Sequence, residues 1–362
     1  MAGDLRNGAL IQSRAWGYTD GTAEIADAFV YGGLGGAVSS KTTTVTLAGA
    51  STPGFSQSFA GAFTWTPLGL PASVTYPTCP SCTNAPGRTV YYGYTNGRLT
   101  SVGPYYVQAV TYHPNSLFNE VTHTRRGVEA VSGVKDLQTI AATSMPRPAS
   151  LGTDGVTLSG TGADGDWSTG DFGYDGVGNI TAMGTDTFTY DRVSRLTSAT
   201  LAGIGAHSYT CDPFANLTTY NGASRATSTS TNRLTSAGYD AAGNLLSHTG
   251  GAYTYTFDAL NQLVRAVSLG VHRLADFDGG GERVLVRQPF AAPAVSVTVR
   301  GLDGKVLRDV SFDGTTWRWV KDWVYREGVA VASVGGGGGG RGGGGGTGSG
   351  TATGTTWGAC GW

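Results

Sequence analysis

One short unit recurs along the second half of this chain: aromatic-x-aromatic-Asp-x-x-x-[Asn/Arg]-[Leu/Ile]. It stands as Phe172-Gly-Tyr174-Asp175 followed by Gly178-Asn179-Ile180, then as Phe188-Thr-Tyr190-Asp191 followed by Arg195-Leu196. Further copies are Tyr209-Thr-Cys211-Asp212 with Asn216-Leu217, and Gly238-Tyr239-Asp240 with Gly243-Asn244-Leu245. The fifth is Tyr255-Thr-Phe257-Asp258 with Gln262-Leu263, and the sixth is Asp276-Phe277-Asp278 with Glu282-Arg283. In the first five copies the second landmark follows the Asp at a constant distance. The Asp-to-Asp steps, by contrast, are 16, 21, 28, 18 and 20 residues. A fixed turn is therefore joined to return stretches of variable length. The longest step carries an extra half-unit, Asn232-Arg-Leu-Thr235.

Side-chain period gives this unit a physical reading. Aromatics two residues apart share one face of a strand. Asp ends the strand and caps a turn with its carboxylate. Gly or Asn late in the turn accepts a positive φ at little cost. Leu or Ile then starts the returning strand. Each unit is one hairpin, and because a lone hairpin is marginal in water, the hairpins must stack laterally. Composition agrees with an all-β chain. Only 14% of residues are charged and 59 of 362 are Gly, against typical values of roughly 25% and about 7%.

The iterated motif closely resembles the YD-repeat, or RHS (rearrangement hotspot), family over 171–334, most densely along Asn232-Arg-Leu-Thr-Ser-Ala-Gly-Tyr-Asp-Ala-Ala-Gly-Asn-Leu245. Weaker copies stand upstream. Phe63-Thr-Trp65-Thr-Pro-Leu-Gly-Leu70 has Thr66-Pro67 where Tyr-Asp would stand, and Tyr92-Gly-Tyr94-Thr-Asn-Gly-Arg-Leu99 has a turn one residue shorter. Downstream, Trp323-Val-Tyr325-Arg-Glu-Gly328 reads as one more returning strand. The resemblance implies stacked hairpins in an extended, curved antiparallel sheet, the open part of a spiral shell. It implies a structural shell segment of an exported bacterial protein, secreted or in the cell envelope, that wraps a toxin or other polypeptide cargo. Its partners would be that cargo or the remaining shell of a larger RHS protein. The alternative is a cell-surface adhesive or glycan-binding module using rows of exposed aromatics.

Four segments are expected: degenerate repeats over 1–119, an irregular seam over 120–170, regular repeats over 171–334, and a Gly-rich disordered tail over 335–362. Within the seam, Val128, Val131, Val134, Leu137 and Ile140 recur every three residues, the spacing of a short helix or an irregular excursion. The family's self-cleaving Asp-Pro-x-Gly motif is missing, since the only Asp-Pro is Asp212-Pro213 inside a repeat turn. The chain therefore reads as a truncation or frameshift product.

Other signals are weak. Cys79-Pro-Ser-Cys82 has metal or redox spacing but no second ligand pair nearby, which leaves free thiols as the leading state, ahead of a loop disulfide and a metal. Asp276-Phe-Asp278-Gly-Gly-Gly-Glu282 resembles a calcium loop but places Gly280 where a third oxygen ligand belongs. No nucleophile elbow or His-Glu-x-x-His occurs, and no catalytic, cofactor or metal residue is assigned. Net charge is −1 with scattered cations, so no footprint for nucleic acid appears. No apolar run reaches the ~18 residues a membrane helix needs, and no signal peptide opens the chain.

Overall fold

The computed structural model describes residues 2–6, 9–17, 22–48, 54–83, 85–103, 106–124, 132–140, 147–154, 167–248, 251–289 and 295–335. The Gly-rich segment after 335, including Trp357, Cys360 and Trp362, lies outside them, as do Val128 and Val131. Among the described residues there is no α-helix, and nearly every strand is antiparallel to its neighbours in sequence. The described residues divide into two compact units. Those of Met1–Gln108 and Gly238–Gly339 form one, and those of Ala109–Ala237 form the other.

The first unit pairs its N-terminal strands in sequence order, from Ala2–Arg6 and Ala9–Trp16 through Ala23–Tyr31, Val38–Leu47 and Phe55–Trp65 to Arg98–Gly103. Its C-terminal strands, Gly238–Tyr239 to Val329–Gly335, do the same in a second sheet. Alternation decides which residues meet. Along Val38–Leu47, Lys41, Thr43, Val45 and Leu47 are buried while their neighbours are not, and Val295, Val297 and Val299 repeat the pattern on the other sheet. These two faces share one core containing Ile25, Val45, Leu47, Phe59, Leu285, Val297, Phe312 and Trp317. Burying side chains of this size stabilises by about 1.5–3 kcal/mol each.

One segment leaves the N-terminal sheet and lies on the C-terminal one. Cys82–Thr83 is skipped in the N-terminal strand order and pairs in parallel with Trp317–Arg318. Cys79 and Cys82 are joined in a disulfide and are both buried within the shared core. The sulfurs thus bond each other, which replaces the free-thiol and metal readings. The two flanks of this segment are gripped by Arg308, whose Nη1 donates to the Pro77 carbonyl at 2.7 Å and whose Nη2 donates to the Pro86 carbonyl at 2.8 Å. Arg308 is itself paired with Asp322, 2.7 Å from Nε to Oδ1. Asp322 also accepts from Arg88 Nε at 2.9 Å and Trp319 Nε1 at 3.0 Å. A fully buried carboxylate survives here because these three polar hydrogens and a fourth, from Arg308 Nη2 at 2.9 Å, replace its water.

In the second unit, strands Phe118–Thr124, Ser132–Ile140 and Pro148–Asp154 pair in order. The three-residue apolar spacing around Val134 and Ile140 therefore belongs to a strand, where cross-strand partners outweigh a weak helical period. A seven-stranded sheet follows, from Phe172–Tyr174 to Ala223–Ser224. It ends inside the 28-residue step. There the half-unit Asn232–Thr235 adds no strand to the sheet but forms the isolated bridge Thr227↔Leu234.

Candidate functional site

Each repeat turn is a closed five-residue ring. The N–H of Asp175 donates to the carbonyl of Asn179 at 3.0 Å, and that of Gly178 donates back to the Asp175 carbonyl at 3.2 Å. The same pair of bonds closes Asp191–Arg195, Asp212–Asn216, Asp240–Asn244, Asp258–Gln262 and Asp278–Glu282. The fourth residue takes a positive φ every time: Gly178, Ser194, Ala215, Gly243, Asn261 and Gly281. Gly is the unstrained choice there.

The Asp carboxylate fills the ring. Asp175 Oδ1 accepts from the N–H groups of Val177, Gly178 and Asn179 at 2.8–3.0 Å, while Oδ2 accepts from the Asn179 amide at 2.7 Å. Asp212 with Asn216 and Asp240 with Asn244 repeat the clasp, and in the second turn Arg195 Nε reaches Asp191 Oδ2 at 2.6 Å. These bonds hold the carboxyls below the ordinary aspartate range. The Asn216 and Asn244 amides are the largest single cause for Asp212 and Asp240, and the Arg195 backbone N–H is the largest for Asp191. At Asp175, desolvation pulls upward, and the Asn179 side chain and the turn N–H groups outweigh it. The stretch Asp276–Glu282 contains one of these rings, Asp278–Glu282, and Asp276 is paired with the Arg287 guanidinium.

A second set of bonds joins turn to turn. Asn179 reaches Ser194 Oγ at 3.1 Å, Arg195 Nη1 donates to the Asp212 carbonyl at 2.7 Å, and Asn216 reaches Asn232 Oδ1 at 3.1 Å. In the first unit, Asn244 reaches Asn261 Oδ1 at 2.8 Å.

Tyr174, Tyr190, Cys211, Tyr239 and Phe257 each end an outgoing strand and sit directly opposite Ile180, Leu196, Leu217, Leu245 and Leu263. The register shifts by one residue on the side of each pair away from the turn, a bulge, and the constant spacing of the two landmarks is that of the five-residue ring between the paired residues. The ring also forms at Thr66–Leu70, His113–Leu117 and Gly301–Lys305. At the first, Trp65 holds the aromatic place and the Thr66 hydroxyl accepts from the Leu70 N–H at 3.1 Å, so Thr66 replaces Asp one residue earlier than the sequence alignment placed it. The last two do not begin with Asp and were missed. Their signals are the aromatic-polar-Pro of Tyr112-His-Pro114 and the Gly pair Gly301 and Gly304. Trp323 and Tyr325 lie on the strand Trp317–Arg326, which returns beside Val306–Phe312 and then pairs with Val329–Gly335.

The aromatics form a face. In the seven-stranded sheet, Phe172, Tyr174, Phe188, Tyr190 and Tyr209 are half-buried, whereas Thr187, Thr189, Ser208 and Thr210 on the opposite face are exposed. From Asp171 to Ser224 only Ala199 is buried, so among the described residues the aromatic side is half covered, with Arg147 5.2 Å from the Tyr174 ring. The rings are nonetheless held. Tyr190 donates its hydroxyl to the Ile180 carbonyl and Tyr174 to that of Pro148, each at 2.8 Å. His207 stacks on Tyr220 with centroids 5.8 Å apart and bonds its hydroxyl at 2.9 Å. On the first unit, His248 stacks on Tyr253 at 4.6 Å.

No protein-family model matches this chain, and no curated protein matches it. Among solved structures it is similar to a chain of the TcdB2-TccC3-TEV crystal structure at 13% identity and a TM-score of 0.54, over 90% of this chain and 22% of that one. It is also similar to a chain of the Photorhabdus luminescens Tc holotoxin pore, at 13% identity and a TM-score of 0.45, over 92% of this chain and 22% of that one. The first likeness defines the class: this is an antiparallel hairpin-repeat β fold of the kind found in that Tc toxin chain. The protein spans about a fifth of that chain's length, 22%. Among the described residues no helix is long and apolar enough to cross a membrane.

Proposed function

We propose that this protein is a wall segment of an RHS-type shell, exported by its host, that lays its aromatic face against a polypeptide cargo and performs no catalysis. The observation that carries this reading is the seven-stranded sheet. One of its faces is aromatic and only half-buried among the described residues, the other is hydroxyl-lined, and its rim is tied turn to turn. A single sheet of this kind needs something apolar on one side. Similarity in fold to a Tc toxin chain supports the reading, as does a buried disulfide, which belongs to oxidising compartments. The Tyr174 and Tyr190 hydroxyls already donate to backbone carbonyls, which leaves them poor donors to a sugar and disfavours the glycan-binding alternative.

The test is binding of a permanently unfolded polypeptide, reduced and carboxymethylated α-lactalbumin, followed by fluorescence anisotropy with the native probe and a glycan mixture as controls. Saturable binding of the unfolded chain that is lost in Phe188→Ser/Tyr209→Ser supports the wall reading. Binding of glycans alone, or of neither, overturns it.

A further inference from the structure

The sequence scatters its cations, and the fold gathers four of them. A hollow of about 580 Å³ on the first unit is lined by Arg265, Arg273, Arg283 and Arg300, with Glu282 the single carboxylate in its wall. The whole chain is balanced at 24 Lys and Arg to 25 Asp and Glu, so a ratio of four to one is a local departure. Antiparallel register produces it. Ala266 pairs with Arg273, Ala275 with Val286, and Phe277 with Arg283. Small side chains therefore floor the hollow between two cations that come from neighbouring strands, with Phe277 beside them.

The four arginines are not equivalent. Arg300 is fixed, with Nη1 donating to the Gly304 carbonyl at 2.8 Å, Nε to the Arg283 carbonyl at 3.3 Å, and Glu282 3.5 Å away. Among the described residues Arg265 bonds only to the ring of His272, at 3.2 Å. The guanidiniums of Arg273 and Arg283 are exposed and make no hydrogen bond or ion pair among the described residues. Two free forks, each built for bidentate oxyanion contacts, stand over a partly apolar floor.

We propose that this hollow binds a tetrahedral oxyanion, phosphate or sulfate, esterified to an uncharged carrier that lies against Phe277 and the alanine floor. Arg273 and Arg283 would take the oxyanion, Arg265 would add long-range attraction, and Arg300 would hold the rim.

The full chain is titrated by calorimetry with inorganic phosphate, inorganic sulfate, glucose 6-phosphate, glucose 6-sulfate and glucose. Saturable binding of an ester is expected, about tenfold tighter than that of its inorganic ion, with none of glucose. Arg273→Gln/Arg283→Gln should weaken it by about tenfold or more, the scale of a lost charge-assisted pair, and rising salt should weaken it further. Both sites are exposed, so a circular-dichroism spectrum unchanged from wild type is expected, and each single variant provides a second reading. Glu282→Gln should strengthen binding. Absence of saturable binding, or a double variant within twofold of wild type, overturns the site. Equal affinity for the inorganic and esterified ions overturns the carrier. Preference for the phosphate or the sulfate ester identifies the source.

Discussion

Asn244 Nδ2 donates to Asn261 Oδ1, 17 residues further on, at 2.8 Å. The same amide donates to Asp240 Oδ2 at 2.8 Å. One side chain thus closes its own turn and ties it to the next. Asn244→Ala should cost about 1–2 kcal/mol, since two hydrogen bonds are lost and a partly shielded carboxylate keeps fewer partners. Urea unfolding checks this. Asn244→Asp should be worse, because it sets a second carboxylate against Asp240.

Acid should loosen the turns together. Folded-state pKa values lie below the ordinary aspartate value for Asp175, Asp191, Asp212 and Asp240. A depressed carboxyl contributes stability above its unfolded pKa, and that contribution is lost as pH falls through the folded one. Stability should hold from neutral pH down to about 4, the unfolded aspartate range, and then fall. Asp27 works in the opposite sense, because burial raises its pKa despite Lys41 and Thr43. Ionised Asp27 therefore opposes folding at neutral pH, and acid relieves that term. Chemical unfolding at stepped pH tests the sum, and stability that rises steadily below pH 4 would contradict it.

The node at Asp322 should be the costliest polar site in the first unit. Asp322→Ala leaves the guanidiniums of Arg308 and Arg88 without their carboxylate, and removing one partner of a buried pair costs about 3–5 kcal/mol. Arg308→Met should cost less, because Arg88 and Trp319 still serve Asp322. Denaturant midpoints of the two variants give the order directly, and the reverse order would contradict this assignment.

The Cys79–Cys82 bridge closes a very short loop, so chain entropy limits its contribution to about 2 kcal/mol. Cys79→Ser/Cys82→Ser should lose about that much stability. In the native protein a peptide carrying both cysteines should resist alkylation until it is denatured and reduced. Ready alkylation without reductant would show that the pair is not bonded.

The clasped turns were legible because everything they need is local. A capping carboxylate, a residue at positive φ and an amide four places on lie within five residues, and period two assigns the aromatics to one face. Thr66 was displaced by one position and His113 overlooked because the ring is a backbone structure that several side chains can cap, so the Asp signal marks it without being required for it. The helix reading around Ile140 failed for the complementary reason, since a strand's partners are distant in sequence and leave no trace in local spacing.

The chain's own order of residues determined that it would build bulged hairpins with Asp-capped turns, paired with their sequence neighbours. Tertiary structure alone decided where the pairing breaks after Ser224, which two sheet faces close over Cys79 and Cys82, and that Arg308 meets Pro77 and Pro86 from more than two hundred residues away. It also decided that Arg265, Arg273, Arg283 and Arg300 share one hollow. Each of these outcomes depends on cross-strand register and on which faces pack, and both are set by the summed burial of many side chains, a quantity that no local spacing in the sequence records.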